Sequence, residues 1–359
     1  RTYIGTVTTA QAVHNAYLHT KLHALHGLSL QILVGKYVVF LFAIEIKCYF
    51  CIRFIFQEMS KVVKIPEVKE DVRIGSAFNF LFQVIRETEN SEGNVVVWDF
   101  QNRTFFHPFF IAPLSIYKQM NGKTVICKNI SDACKSYFEK VSFENMMYID
   151  KDTDLKDALQ GFDDKTYTPI CCFDMCGEHV DSLQTVLQNV IEKQSKMDKK
   201  LKTPLSYFLG ELICNISQHA NSEVGYVFSQ YLPKEKAITL CIADRGITIY
   251  GSYLRTQKYL DEIGDDEAVA LKKANEGYST KNLPNPEDRG YGISSTKDML
   301  VNGLGGAFFM FSGGAFHRHS REYCDFTNLP KAFNWPGTII LMRIPIEVEE
   351  GFDYNNYIQ

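Results

Sequence analysis

After Met59, short apolar runs alternate with longer segments whose apolar residues recur every three or four positions. Runs such as NVVVWDF (94 to 100), ITLCIAD (238 to 244) and PGTIILMRIP (336 to 345) have the length and β-branched content of buried strands. The segments between them have the period of amphipathic helices. A chain that alternates in this way buries its apolar faces by packing helices on sheets, so an α/β fold is predicted. With 359 residues and 45% apolar content there is enough chain for a substantial core and two domains.

The front part reads as a small α/β unit. GSAFNFLFQVIRET, FFIAPLSIYKQM and SDACKSYFEKV have helical spacing, and NVVVWDF, KTVIC and TYTPICCFD read as strands. The polar-faced helix VDSLQTVLQNVIEKQSKMDKKLKT, with its lysine-rich end, makes a natural connector, which sets the expected boundary near residue 178. The domains predicted are 59 to 178 and 179 to 350, with a tail over 351 to 359. Residues 1 to 58 stand apart. They carry four of the nine histidines and few acids, and run into YVVFLFAIEIKCYFCIRFIF. Glu45, Lys47 and Arg53 make that stretch a poor membrane span, and it has no signal-peptide cleavage pattern. Residues 1 to 58 are therefore expected to be upstream sequence read in frame, with a membrane-anchoring segment as the alternative.

Charge narrows the partners. A net charge of −4 and no basic block interleaved with aromatics give no footprint for nucleic acid. The ten cysteines lack paired zinc spacing and, the lone CxxC of Cys48 and Cys51 included, read as buried thiols rather than as metal ligands or disulfides. That usage suits a reducing cytosol.

Chemistry is concentrated in the second half. In ELICNISQHA, Glu211, Asn215 and His219 lie four residues apart and form one stripe on a helix, while Leu205, Phe208, Leu209, Leu212, Ile213 and Ile216 form the opposite face. A rigid helix that turns a carboxylate, an amide and an imidazole outward suits the wall of a site. The same stripe also suits a solvated helix face. Asp244 ends an apolar strand, where a carboxylate is costly to bury unless something donates to it, and Gly246 follows. A plain turn would also use that aspartate and glycine. Gly290 and Gly292 precede SSTKDML, so backbone N–H groups at a helix start could face an anion. Lys281 and Arg289 flank the loop NEGYSTKNLPNPED, and Gly337 and Thr338 enter the last strand.

Taken together, the helix stripe, IADRG, DRGYG and PGT resemble, in order and spacing over residues 200 to 346, the GHKL ATPase superfamily. That is the ATP-binding fold of histidine kinases, anti-sigma-factor kinases, gyrase, Hsp90 and MutL. The resemblance implies a two-layer α/β (Bergerat) sandwich with a mixed sheet that binds ATP and Mg2+. Asn215 would be the magnesium ligand, Glu211 the catalytic carboxylate and Asp244 the acceptor for the adenine amine. Gly246 would allow close approach to the base, and Thr338 would help bind its edge. His219, Lys281, Arg289, Gly290 and Gly292 would lie around the phosphates, with the loop from 275 as a mobile lid. Two positions depart from the pattern. Thr248 stands where a second motif glycine belongs, and Gln218 where many histidine kinases have a cation.

Residues 70 to 175 resemble a STAS domain, the fold of anti-anti-sigma factors. Where those proteins carry a phosphoaccepting serine, this chain reads Phe106, His107, Pro108 and Phe109, so the unit is expected to dock or sense without being phosphorylated. Nothing upstream resembles a dimerisation helix with a phosphoaccepting histidine. The resemblance thus implies a cytosolic Mg-ATP-dependent regulatory protein kinase of the anti-sigma type, with a protein partner and room for a homodimer. The alternative is a nucleotide-gated switch that hydrolyses ATP slowly or not at all.

Overall fold

The structure is a computed structural model that describes residues 61–68, 77–175, 177–216, 222–280, 291–331 and 333–358. The expectations about residues 1 to 58 therefore lie outside the described residues. Lys61–Gln359 is one compact unit.

The front elements are β1 (Lys61–Lys64), α1 (Ala77–Glu89), β2 (Val95–Asp99), α2 (Pro108–Met120), β3 (Thr124–Lys128) and α3 (Asp132–Lys140). Their strands make a parallel three-stranded sheet in the order β1-β2-β3. Pro108 opens α2 where a missing N–H costs nothing, and the buried ring of His107 caps the helix by accepting from the Phe109 N–H at 3.2 Å. Its other nitrogen meets Glu235 at 3.3 Å. The His-Pro pair is thus a buried cap.

The next elements are β4 (Met147–Ile149), α4 (Leu155–Gln160), β5 (Cys171–Asp174), α5 (Gly177–Ser195), α6 (Lys202–Asn215), β6 (Val224–Leu232) and β7 (Ala237–Asp244). Then come α7 (Ile249–Thr256), α8 (Leu260–Ile263), α9 (Glu267–Asn275), α10 (Tyr291–Asp298), β8 (Ala307–Gly313), β9 (Ala315–His319), β10 (Cys324–Asn328) and β11 (Trp335–Pro345). An eight-stranded sheet runs β10-β9-β8-β11-β7-β6-β5-β4 and is mixed, since β4 pairs parallel to β5 while its other pairs are antiparallel. The architecture is α/β, as the alternation predicts.

This large sheet is covered on both faces, which explains why β7 and β8 read as unbroken apolar runs. Val227, Ile238, Leu240, Ile242, Phe308 and Met310 point toward helices α5, α6 and α9. Phe228, Cys241, Ala243, Phe309, Phe311 and Phe316 point the other way, into a core shared with α1 and α2. The two-layer sandwich expected from sequence accounts for one face only; the second is closed by the front helices.

Phe78 of α1 packs on Phe309, Phe311 and Phe316, and Phe82 on Phe311, Phe316 and Phe333. Strand β5, read from sequence as part of the front unit, pairs with β6 in the large sheet and carries β4, a strand not read from sequence, with it, so that sheet crosses the boundary expected near residue 178. Because the two parts share a core, residues 61 to 359 should unfold as one transition. Phe82→Ala, at a partly buried ring on that seam, should lower the stability by about 2 kcal/mol. Urea unfolding followed at two wavelengths checks this, and a front unit that melts separately would contradict the shared core.

Candidate functional site

Helix α6 behaves as its periodicity predicts. Leu205, Phe208, Leu209, Leu212, Ile213 and Ile216 are buried, and Glu211 and Asn215 lie half-buried on the other side. The third residue of the stripe, His219, falls outside the described residues, as do Gln218, Lys281, Arg289 and Gly290. Asn215 has an amide Nδ2 that is buried without a hydrogen-bond partner. An orphaned amide costs about 1–3 kcal/mol, and O and N of an asparagine are interchangeable by a flip, so the side chain fits a role in which an incoming group satisfies it.

Glu211 is placed against α10. A Cβ added at Gly292 would overlap the Glu211 Oε2, so glycine is what lets the start of α10 approach that carboxylate. The described part of the helix starts at Tyr291, so Gly292 lies within the helix rather than ahead of it. One turn before Glu211, the Tyr207 hydroxyl is hydrogen-bonded to Ser295 of α10. Burial and then the nearby Glu211 charge push the Tyr207 hydroxyl above its ordinary range. Tyr207 and Ser295 thus lock α6 to α10 beside Glu211. The sequence does not single them out, since neither follows from spacing along one helix.

The second group of residues surrounds Asp244. It ends β7 between β6 and β11 and is 3% exposed. Its Oδ1 accepts the Gly246 N–H at 2.7 Å, and the Thr338 main-chain N–H also donates to the carboxylate. Burial pushes its carboxyl up to about 7, against the downward pull of those two donors. Gly337, at φ +96°, lies against it: a Cβ there would come within 2.5 Å of both the Asp244 carbonyl oxygen and Oδ1. Asp244, Gly246, Gly337 and Thr338 therefore form one cluster.

Two hydroxyl-bearing residues near this cluster have partners within the protein. The Thr338 hydroxyl is 3.0 Å from Ser312 Oγ, and because Ser312 donates to the Gly337 carbonyl, Thr338 is the donor in that pair. Ser312 Oγ also accepts from Ile249 at 2.8 Å, so this buried serine, not legible as a site residue, ties together the three segments around Asp244. Thr248, in the place of the second motif glycine, has φ −67° and caps α7 by accepting from Gly251 at 2.9 Å. No left-handed backbone is required there, and a threonine suits the position.

The two clusters lie on the same side of the large sheet. Side chains alternate along a strand, so Asp244 shares its face with Ile238, Leu240 and Ile242, the face against which α6 packs. An open cleft of about 730 Å³ between α1 and the β9–β10 edge, lined by Phe82, Arg86, Phe316 and Phe333, contains none of the residues predicted from sequence.

Among the described residues no helix is long and apolar enough to cross a membrane. None of the seven described cysteines is in a disulfide; Cys214 and Cys324 are exposed rather than buried as expected. No protein-family model matches the chain, and comparison with curated proteins and with solved structures likewise returned no match.

Proposed function

We propose that the chain is a GHKL-type, histidine kinase-like ATP-binding protein, acting in the cytosol as an Mg-ATP-dependent kinase on a partner protein. The observation that carries this reading is Asp244. It is a buried carboxylate held by two main-chain donors, against which Gly337 packs without a side chain, on the sheet face against which α6 also packs. A carboxylate that is costly to bury is suited to accept from an exocyclic amine such as that of adenine.

Asn215 is the residue whose amide oxygen would hold Mg2+, an ion that prefers oxygen donors and retains several waters. When bound, that ion neutralises charge on the phosphates. Glu211 is positioned by Tyr207, Ser295 and Gly292 to accept the proton of a serine or threonine hydroxyl. As the hydroxyl oxygen bonds to the γ-phosphorus, the bond from that phosphorus to the β–γ bridging oxygen breaks, ADP leaves with the electron pair, and the proton goes to Glu211. Main-chain N–H groups at the start of α10 would favour the transferred phosphate.

For the front part we infer a STAS-like docking unit. His107, at the start of α2 where a phosphoacceptor would lie, is buried and engaged by Phe109 and Glu235, which supports a role without phosphorylation.

Mg-ATP at a hundredfold excess over Kd should stabilise the protein by about 2.7 kcal/mol, seen as a rise in melting temperature. No rise would remove the nucleotide reading. With γ-labelled ATP and a cell lysate, label should pass to a partner protein; Glu211→Ala should abolish the transfer while keeping the thermal shift. Binding without transfer or phosphate release would instead establish a nucleotide-gated switch.

A further inference from the structure

At the edge of the large sheet, the β9–β10 hairpin gathers two imidazoles and a thiol on one face. His317 and His319 are two residues apart on β9 and so point the same way, and Cys324 of β10 pairs directly across from His319. One donor atom from each lies within 4.8 Å of the other two.

The hydrogen bonding of these rings is incomplete in a specific way. His317 is fully buried, and its Nδ1 lies 2.8 Å from the main-chain carbonyl oxygen of Asp325. A carbonyl only accepts, so Nδ1 carries the proton and Nε2 the lone pair. That Nε2 is buried with no hydrogen-bond partner, and so is Nδ1 of His319. Each unsatisfied nitrogen costs about 1–3 kcal/mol, and two of them beside one thiol is an expensive arrangement unless something joins them.

The His317 ring is also held firmly. It stacks on Phe326 with centroids 3.8 Å apart and planes 4° from parallel, and its Nδ1–H is anchored on a carbonyl. This is the support that fixes the tautomer and aim of a metal-binding histidine.

We propose that His317, His319 and Cys324 bind a single divalent ion of the zinc class, with a fourth coordination position open to water or an exogenous ligand. Two imidazole nitrogens and one thiolate form a borderline-soft donor set that suits zinc and excludes magnesium or calcium. A tetrahedral zinc ion at about 2.0–2.1 Å from nitrogen and 2.3 Å from sulfur sets its donors roughly 3.3–3.6 Å apart, so only a modest rotation of the exposed Cys324 is needed. That exposure also leaves the fourth position facing solvent.

Lys297 of α10 tunes the site. Its Nζ donates to the Asn275 carbonyl at 3.2 Å. The positive charge makes the thiolate necessary, since a neutral donor set beside an ammonium group would repel a dication. Two histidines alone are therefore insufficient, and Cys324 becomes the decisive ligand. The hairpin is separate from the Glu211 and Asp244 clusters, so the site stands whether or not the protein binds nucleotide.

Tag-free, chelator-stripped full-length protein is titrated with Co2+. One equivalent should saturate the visible bands of tetrahedral cobalt and the near-ultraviolet thiolate-to-cobalt band, and Zn2+ should displace it. Cys324→Ser should abolish the thiolate band, and His319→Asn should weaken binding by 10- to 100-fold. Replacing Cys48 and Cys51 by serine should change nothing. In the unmodified protein, Zn2+ should also slow alkylation of Cys324, read by peptide mass spectrometry, which requires no variant to fold. Absence of saturable cobalt or zinc binding at micromolar concentration, a thiolate band that survives Cys324→Ser, or unprotected Cys324 would overturn the site.

Discussion

Asp244→Asn is expected to raise the melting temperature of the ligand-free protein at pH 8 and to abolish its response to Mg-ATP. The carboxyl is pushed up to about 7 in the fold from 3.8 in the open chain, so the folded state holds its proton more tightly. A raised folded value means stability that is complete below about pH 4 and is lost as pH rises through 7, where the native state must ionise a buried group. A shift of this size corresponds to a ceiling of about 4 kcal/mol above that range. Asparagine has nearly the same shape and can still accept from Gly246 and Thr338 through its oxygen. Its NH2 has no acceptor, which costs about 1–3 kcal/mol and leaves a net gain of about 1–2 kcal/mol at pH 8. The gain should vanish near pH 5 and reverse below it. The same change removes the anionic acceptor for an exocyclic amine, so a stabilised protein that ignores ATP is the outcome specific to a binding carboxylate. Scanning calorimetry at pH 5 and 8, with and without Mg-ATP, reads both effects. A variant that is less stable at pH 8 and still shifts with ATP would show that Asp244 is only a turn residue.

The sequence makes some of this architecture legible because the information is local. The apolar face of α6 is set by residues three and four apart, and all six of its predicted members are buried. Asp244 is visible because a carboxylate at the end of ITLCIAD conflicts with its surroundings. Partnership between distant segments is not encoded that way. TYTPICCFD reads as a strand, but nothing within it says that Cys171–Asp174 pairs with β6 rather than with the front sheet. The hairpin AFHRHSREYCDFTN escapes notice because its histidines, arginines and acids break the apolar alternation, although Phe316 and Phe326 still pack inward. Ser312, Tyr207 and Ser295 are ordinary polar residues until the fold brings their partners to them. The same limit hides His317, whose buried nitrogen is meaningful only once Cys324 is known to lie nearby.

Two glycine substitutions should separate structure from chemistry. Gly337→Ala places a methyl group against main-chain and carboxylate oxygen of Asp244, at 2.5 Å from each, on a residue whose φ of +96° alanine rarely adopts. Backbone oxygen in a central strand cannot step aside, so strain and overlap together should destabilise by about 3–5 kcal/mol. The urea midpoint should fall accordingly, and the ATP-induced shift should weaken with it. Gly292→Ala meets something different: the far end of the Glu211 side chain, which can rotate away. Helix propensity even favours alanine there by up to about 1 kcal/mol, so the melting temperature should hardly move. What changes is the aim of the carboxylate, and a displacement of about 1 Å in a positioned catalytic group can cost about 100-fold in rate. Phosphate transfer should therefore fall by about that factor in a protein that folds and binds Mg-ATP as before. If Gly292→Ala transfers label at the rate of the unmodified protein, Glu211 cannot be the group that accepts the proton, because the methyl group would have displaced it.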